Sequence, residues 1–203
     1  MILTNTTNTA QTIVYTVTPT SGDSGNCVGS TFTITVVVNP KSYILATTTT
    51  ICSGTAFTVT PTNGSGNIVP SGTTYTWTTP VSNPITAITG GTPQATGVAT
   101  INQTLTNTTT AAATLEYTVT PTSGACAGTP FTITVTVNPT PTTLGLTNQT
   151  YCNAVPTTEI VLTNGVSGTT YAWTNFNTAI GLAASGTGNI PVFTTTNSTT
   201  API

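Results

Sequence analysis

Few residues in this chain are able to do acid, base or metal chemistry. Its 203 residues include four cysteines, three acids (Asp23, Glu116 and Glu159) and one basic residue, Lys41, with no histidine. Catalytic triads, phosphate clamps and general acid–base pairs need groups that move protons or hold anions. Each acid lies in a different repeat of the sequence, so none has a carboxylate partner for paired catalysis or for calcium. We therefore expect no catalytic residue and no cofactor.

The sequence repeats itself at an offset of about 100 residues, and such a repeat decides the fold assignment. The matching segments are LTNTTNTAQTIVYTVTPTSG (3–22) with LTNTTTAAATLEYTVTPTSG (105–124), CVGSTFTITVVVNP (27–40) with CAGTPFTITVTVNP (126–139), ICSGTAFTVT (51–60) with YCNAVPTTEI (151–160), and SGTTYTWT (71–78) with SGTTYAWT (167–174). The chain is predicted to hold the C-terminal part of one repeat (1–40), a complete repeat (41–140) and the N-terminal part of the next (141–203).

The complete repeat is predicted to be an all-β, immunoglobulin-like sandwich, and the chain a tandem array of such domains. In FTITVTVNP, Phe131 and the following alternate residues point one way and the threonines the other, which is the period of a half-buried strand. No segment has helical periodicity. Seven strands are predicted, near 44–50, 55–61, 73–79, 85–89, 98–106, 113–121 and 130–138. Asn-Pro pairs join the repeats, and a stiff exit of this kind predicts a fairly straight rod.

The composition excludes two classes of partner. Only 2% of the residues are charged, and about 30% are threonine, against roughly 25% charged residues in ordinary domains. The net charge of −2 offers no basic patch for nucleic acid. Apolar runs such as Val36–Val38 are far shorter than the roughly 20 residues that span a membrane, so we expect no membrane insertion.

Two aromatic pairs recur at one position of the repeat: Tyr75 with Trp77, and Tyr171 with Trp173. They are typical either of a sugar-stacking platform or of the buried aromatic centre of a sandwich, and their shared strand parity favours the core. Phe131 is expected to face the same core. Tyr117, with its counterpart Tyr15, resembles the tyrosine that locks the corner before the penultimate strand of such sandwiches.

The cysteines also follow the repeat, with one early and one late in each unit. Cys52 and Cys126 are therefore the preferred disulfide, and Cys27 and Cys152 are left unpaired by truncation. If residues 44–50 form the first strand, however, Cys52 lies at the opposite end of the sandwich from Cys126, too far for a bond. The bond fits if Cys52 instead begins the first core strand. A metal site is not expected, because histidine is absent and CxxC spacing is lacking.

Asn-x-Thr/Ser sequons are frequent, as expected by chance in a sequence rich in threonine and asparagine. They begin at Asn5, Asn63, Asn102, Asn107, Asn148 and Asn197.

Four segments carry a resemblance to a known family: ICSGTAFTVTPT, GTTYTWT, YTVTPTSGACAGTPFTITVTVNP and GTGNIPVFTTTN. The chain resembles the PKD-like repeats of the giant cell-surface adhesins of Bacteroidota that serve gliding motility. The resemblance implies export by the type IX secretion system, an extracellular location at the cell surface, and no catalytic residues. The resemblance also implies that Cys52 and Cys126 form a pair and that the domain has the sandwich core of the family.

Three functions are compatible with these features. The first is a segment of the repetitive shaft of a secreted surface filament, whose partners are neighbouring repeats of the same chain and other filament subunits. The second is a polysaccharide-binding module, and the third is a spacer within a secreted multidomain hydrolase. The similarity of successive repeats favours the shaft, because a dedicated binding site more often makes one repeat unlike its neighbours.

The two ends of the chain fall at nearly the same phase of the repeat, and no signal peptide is visible. The chain is therefore either a piece of a longer secreted protein, or one whose tail strands complete the head of another copy by strand addition. The mass of the intact protein distinguishes these alternatives.

Overall fold

Threonine and β-branched residues dominate the sequence, and the regular structure of the chain is accordingly β. The computed structural model describes residues 2–22, 25–142 and 145–202. The chain forms two compact units, one of residues up to 108 together with 112–138, the other of residues 109–111 together with those from 139 onward.

The first unit contains the complete repeat, preceded by one hairpin. Among its described residues the strands are β1 (Gln11–Val17), β2 (Phe32–Val38), β3 (Thr47–Cys52), β4 (Thr55–Val59), β5 (Thr74–Trp77), β6 (Val81–Asn83), β7 (Ile88–Thr89), β8 (Gln94–Val98), β9 (Ile101–Asn107), β10 (Ala113–Ser123), β11 (Cys126–Ala127) and β12 (Phe131–Asn138).

The complete repeat is an immunoglobulin-like sandwich of two sheets, which confirms the predicted all-β fold class. The larger sheet has the order β3-β12-β10-β5-β8, with β6 and β11 also pairing with β10, and the smaller sheet has the order β4-β9-β7. Both sheets contribute to one core cluster: Ile44, Phe57, Tyr75, Trp77, Ala87, Ile88, Ile101, Leu105, Ala113, Leu115, Tyr117, Val119, Phe131, Ile133, Val135 and Val137.

The strand directions place the two termini of the repeat at opposite ends of the sandwich. β3 runs parallel to β12, from Thr47 beside Ile133 to Cys52 beside Asn138. We call the end where both strands begin the proximal end and the end where both finish the distal end. The chain thus enters this sandwich at its proximal end and leaves it at its distal end.

The observed strands differ from the predicted ones at three places, one of which is the additional short strand β11, paired with the end of β10. The strand predicted near 85–89 is shortened to β7, preceded by β6, because Pro84 between them has no backbone N–H to donate to a sheet. An additional edge strand, β8, pairs with β5 through an irregular register. A Cβ on Gly97 would lie 2.6 Å from the Thr74 hydroxyl oxygen, so the close approach of β8 to β5 requires glycine there.

Tyr117 lies at the centre of the core. Its ring centroid is 5.2 Å from that of Phe57 and 6.1 Å from that of Trp77. Its hydroxyl donates to Oε1 of Gln103 on β9, at 2.8 Å. The hydroxyl therefore ties the larger sheet to the smaller one, whereas the sequence resemblance predicted that it would lock a corner of the backbone.

Gln103 extends this connection to a loop. Its Oε1 also accepts from the Thr92 backbone N–H, at 3.0 Å, and its Nε2 donates to the Thr92 carbonyl, at 2.9 Å. The Trp77 indole N–H donates to the same carbonyl, at 2.9 Å. Two buried aromatic polar groups are thus satisfied by one side-chain amide and one loop carbonyl, as burial in a core requires.

Stability should fall at high pH through these tyrosines. Burial raises the pKa of Tyr117 and that of Tyr75. The unfolded chain loses these protons near pH 10 while the folded chain retains them, so the free energy of unfolding decreases as the pH rises above about 10. Urea midpoints measured between neutral pH and pH 11 should show this fall.

Tyr117→Phe should be less stable by about 1 kcal/mol at neutral pH, because the hydrogen bond to Gln103 is lost, and should lose less stability above pH 10. Tyr43→Phe is the matched control, since its side chain is 46% exposed. If the free energy of unfolding fell equally above pH 10 in wild type and in Tyr117→Phe, the attribution of the alkaline loss of stability to Tyr117 would be wrong.

Candidate functional site

The described residues contain no cluster suited to metal or acid–base chemistry. Across 2–22, 25–142 and 145–202, no three or more His, Cys, Asp or Glu side chains gather where they could hold a metal ion. Glu159 is exposed and accepts from Asn189 Nδ2, at 3.1 Å, while Glu116 lies on β10 among outward-facing residues. Asp23 lies outside the described residues. Within the described part of the chain, no helix is long and apolar enough to cross a membrane.

The cysteines do not meet. Cys27, Cys52 and Cys152 are exposed, Cys126 is half-buried, and all four are free thiols. Cys52 ends β3 at the distal end, whereas Cys126 pairs with Ser123 at the proximal end. The eleven-residue β10 separates these ends by roughly 36 Å, against the 4.4–6.8 Å between Cα atoms that a disulfide needs. The disulfide predicted between Cys52 and Cys126 is therefore not formed.

A thiol titration tests this correction. We expect native protein, prepared without reductant, to react with four equivalents of a maleimide, and Cys126 to react more slowly than the other three because it is half-buried. Cys126→Ser should lower the count by one and leave the thermal midpoint almost unchanged. A native count of two, together with a large loss of stability in Cys126→Ser, would instead indicate a bond between Cys52 and Cys126.

The aromatic residues fall into two groups. Tyr75, Trp77, Tyr117 and Phe131 in the complete repeat are at most 6% exposed, and Tyr75 meets Phe131 edge to face, with 6.4 Å between centroids. Tyr171 and Trp173 are only half-buried. None of the four in the complete repeat is available as a surface platform for a sugar.

The amino-terminal hairpin, formed by β1 and β2, has exposed apolar side chains. It has the register of β10 with β12, since Tyr15 pairs with Ile34 as Tyr117 pairs with Ile133. Tyr117 and Ile133 are fully buried, but Tyr15 is 38% and Ile34 47% exposed. The hairpin thus presents to solvent the face that is the core of the complete repeat.

The second unit, like the first, contains short β-strands. In its described part the strands are β13 (Ala172–Thr174) and β14 (Ser185–Thr187), with a 3-10 turn at Thr178–Ile180. Backbone hydrogen bonds also join residues 155–160 to 190–195, as in the pairing of β4 with β9: Thr157 N–H donates to the Phe193 carbonyl, at 2.9 Å, and Thr195 N–H to the Val155 carbonyl, at 3.0 Å.

The apolar side chains of this unit are only partly covered. Ile160, Leu182, Ile190 and Phe193 are half-buried, and together with residues around 147–153 they line a groove of about 600 Å³. The Tyr171 hydroxyl, the Trp173 indole N–H and the Asn164 amide nitrogen are buried without a hydrogen-bond partner. Such groups are costly to leave unsatisfied.

One asparagine closes the distal end of the complete repeat. Asn107, at the end of β9, is buried; its Nδ2 donates to the Val137 carbonyl on β12, at 2.7 Å, and its backbone N–H donates to the Ser53 hydroxyl, at 2.9 Å. The bond from Nδ2 ties the smaller sheet to the larger one.

The same asparagine recurs in both incomplete repeats. Asn5 Nδ2 donates to the Val38 carbonyl, at 2.8 Å, and Asn197 N–H donates to the Asn153 side chain, at 2.8 Å. Each begins an Asn-x-Thr turn, in which Thr7 or Thr199 donates to the asparagine Oδ1. Three of the six sequons are therefore a periodic structural element, which their recurrence at one position of the repeat would have indicated.

The sandwich, its strand order and the repeated turn define a class of domain, and the sequence comparison agrees. The chain matches the PKD-like domain family over residues 1–42 and 49–141. It belongs to that family. No curated protein shows significant similarity to it.

Proposed function

We propose that the chain is a stretch of the repetitive shaft of a secreted cell-surface filament that serves surface attachment and gliding motility. The repeats resemble those of the gliding-motility adhesin SprB of Bacteroidota, and the proposed filament is an adhesin of that type. PKD-like membership supports the coarser part of this proposal, an extracellular repeat or spacer module. The finer part, adhesion and gliding, rests on the sequence resemblance.

The observation that carries the proposal is the way the chain enters and leaves the complete repeat. Because β3 and β12 are parallel and lie side by side, one repeat receives the chain at its proximal end and releases it at its distal end. Eight residues of β12 at about 3.4 Å each give a sandwich roughly 27 Å long along this direction. Repeats joined in this way extend an array instead of folding it back.

The segment that leads into the sandwich is held against it, which supports stiffness. Pro40 and Ser42 are buried, and the Ser42 carbonyl accepts from the Thr129 backbone N–H, at 3.1 Å. Tyr43 and Ile68 exchange two backbone hydrogen bonds, at 3.0 and 2.7 Å. A joint whose residues pack on the domain it precedes has few free dihedrals, unlike a Gly/Ser linker.

The outer face of the larger sheet suits an exposed filament. Thr132, Thr134 and Thr136 alternate with the buried residues of β12 and remain partly exposed. Hydroxyl groups keep such a face hydrated without charge, so the fold should depend little on salt or on pH in the neutral range. That property is useful to a protein that meets changing surroundings.

Scattering from arrays of the repeat tests the shaft. For proteins carrying one, two and three copies of residues 41–140 in tandem, we expect the maximum dimension from small-angle X-ray scattering to rise by about 30–40 Å per copy. Replacing both Pro139 and Asn138 by glycine at each junction is the control and should shorten the array. Dimensions that grow much more slowly than the number of copies would contradict a stiff shaft.

Antibody labelling tests the location. An antibody raised against residues 41–140 should bind intact, unpermeabilised cells that produce the protein, and bound antibody should impair attachment or gliding. Labelling only after permeabilisation would exclude a surface filament. Glycan binding by the complete repeat that is lost on changing loop residues would favour a polysaccharide-binding module instead.

A further inference from the structure

We propose that the cysteines of this protein form disulfides between successive repeats, joining the early cysteine of one repeat to the late cysteine of the repeat that follows it. In this scheme Cys52 pairs with a late cysteine in the following repeat, and Cys126 with an early cysteine in the preceding one. The proposal needs tandem repeats, which the sequence shows. It adds a covalent link to the proposed shaft and does not depend on a role in gliding.

The early cysteine lies where the chain leaves its repeat. Cys52 ends β3 and is paired in register with Asn138, the last residue of β12. From Asn138 the chain passes through Pro139 into the next repeat. Cys52 is exposed, and the other cysteine of its own repeat is out of reach, because Cys126 lies at the proximal end, roughly 36 Å away.

The late cysteine lies close to the point where the chain enters its repeat. Cys126 is half-buried and precedes Gly128 by two residues. A Cβ on Gly128 would be 2.6 Å from the Ser42 carbonyl oxygen and 2.9 Å from Ser42 Cβ, so the close approach of the entering segment requires glycine there. The Thr129 backbone N–H donates to the same carbonyl, at 3.1 Å. The segment that carries Cys126 is thus held against the entering chain.

The connection between two repeats is short. Asn39 holds in the preceding repeat the position of Asn138, and Ser42 follows it by three residues. Three residues span at most about 11 Å. An early cysteine beside Asn39 therefore lies at the same junction as Cys126. Across a junction this connection allows the separation of about 4.4–6.8 Å between Cα atoms that a disulfide needs, which the length of the sandwich forbids within one repeat.

Both cysteine positions recur along the chain. Cys27 holds the late position in the preceding repeat, and Cys152 holds the early position in the following one. Residues 1–40 contain no early cysteine and residues 141–203 contain no late one, so the 203 residues include no pair of the proposed kind. The four free thiols of the structure agree with this. Arrays that contain two successive complete repeats should differ.

The bond forms by thiol–disulfide exchange with a disulfide oxidant, either a small-molecule disulfide or that of an oxidoreductase. The Cys52 thiolate attacks one sulfur of the oxidant and forms a mixed disulfide, and the other sulfur leaves as a thiolate. The thiolate of the late cysteine then attacks the Cys52 sulfur, and the second oxidant thiolate leaves. The two cysteine thiols give up two electrons and two protons, which the oxidant takes up to become two thiols.

A protein made of two tandem copies of residues 41–139 tests the proposal. Every residue of the core cluster lies within this segment, so each copy carries its whole core, and the join repeats the Asn-Pro-Lys-Ser sequence of residues 39–42. After equilibration of dilute protein in a glutathione redox buffer, we expect one disulfide within the protein. Peptide mapping without reductant should join Cys52 of the first copy to Cys126 of the second. A single copy should form no disulfide within the protein.

The same substitution placed in either copy provides the matched control. Cys52→Ser in the first copy should abolish the disulfide, whereas Cys52→Ser in the second copy should leave it intact, and circular dichroism of the reduced proteins verifies folding. A disulfide within one copy, a two-copy protein that forms none, or loss of the disulfide in both variants would each overturn the proposal. Scattering from the reduced array tests the stiff shaft separately, so the two proposals fail independently.

Discussion

β10 and β12 lie side by side in the larger sheet, and each of its other strands pairs with one of them or with a strand that does. The pair also carries Tyr117, whose ring and hydroxyl reach the facing sheet. Both strands come late in the repeat, and the parallel partner β3 comes first. The sandwich can therefore form only when the two ends of the repeat meet, which is a costly, long-range event in folding.

This dependence explains why the two incomplete repeats differ from the complete one. The amino-terminal hairpin keeps the central pair but has nothing to cover it, so its apolar face is exposed. In the carboxy-terminal unit the apolar residues are half-buried, and the buried polar atoms of Tyr171 and Trp173 have no hydrogen-bond partner among the described residues.

The sequence predicts best what local periodicity governs. The alternation in FTITVTVNP predicts β12, and the repeat length predicts the sandwich, because both follow from which residues must be buried. The sequence predicts poorly the features that depend on the order and direction of strands in the sheets. Whether Cys52 meets Cys126 depends on the direction of β3, and β8 is an edge strand with little alternation of its own. The hydrogen bond from the Asn107 side chain to the Val137 carbonyl joins strands that are distant in the sequence. No rule of residue spacing predicts it.

The parallel alignment of β3 with β12 has a mechanical consequence. A pull on the chain entering the proximal end and leaving the distal end draws these two strands in opposite directions along their length. Their six paired positions then bear the load together in shear, instead of opening one after another from an edge. A repeat connected in this way resists extension until the whole pairing gives way at once, so tension along an array would be released in discrete steps, one sandwich at a time.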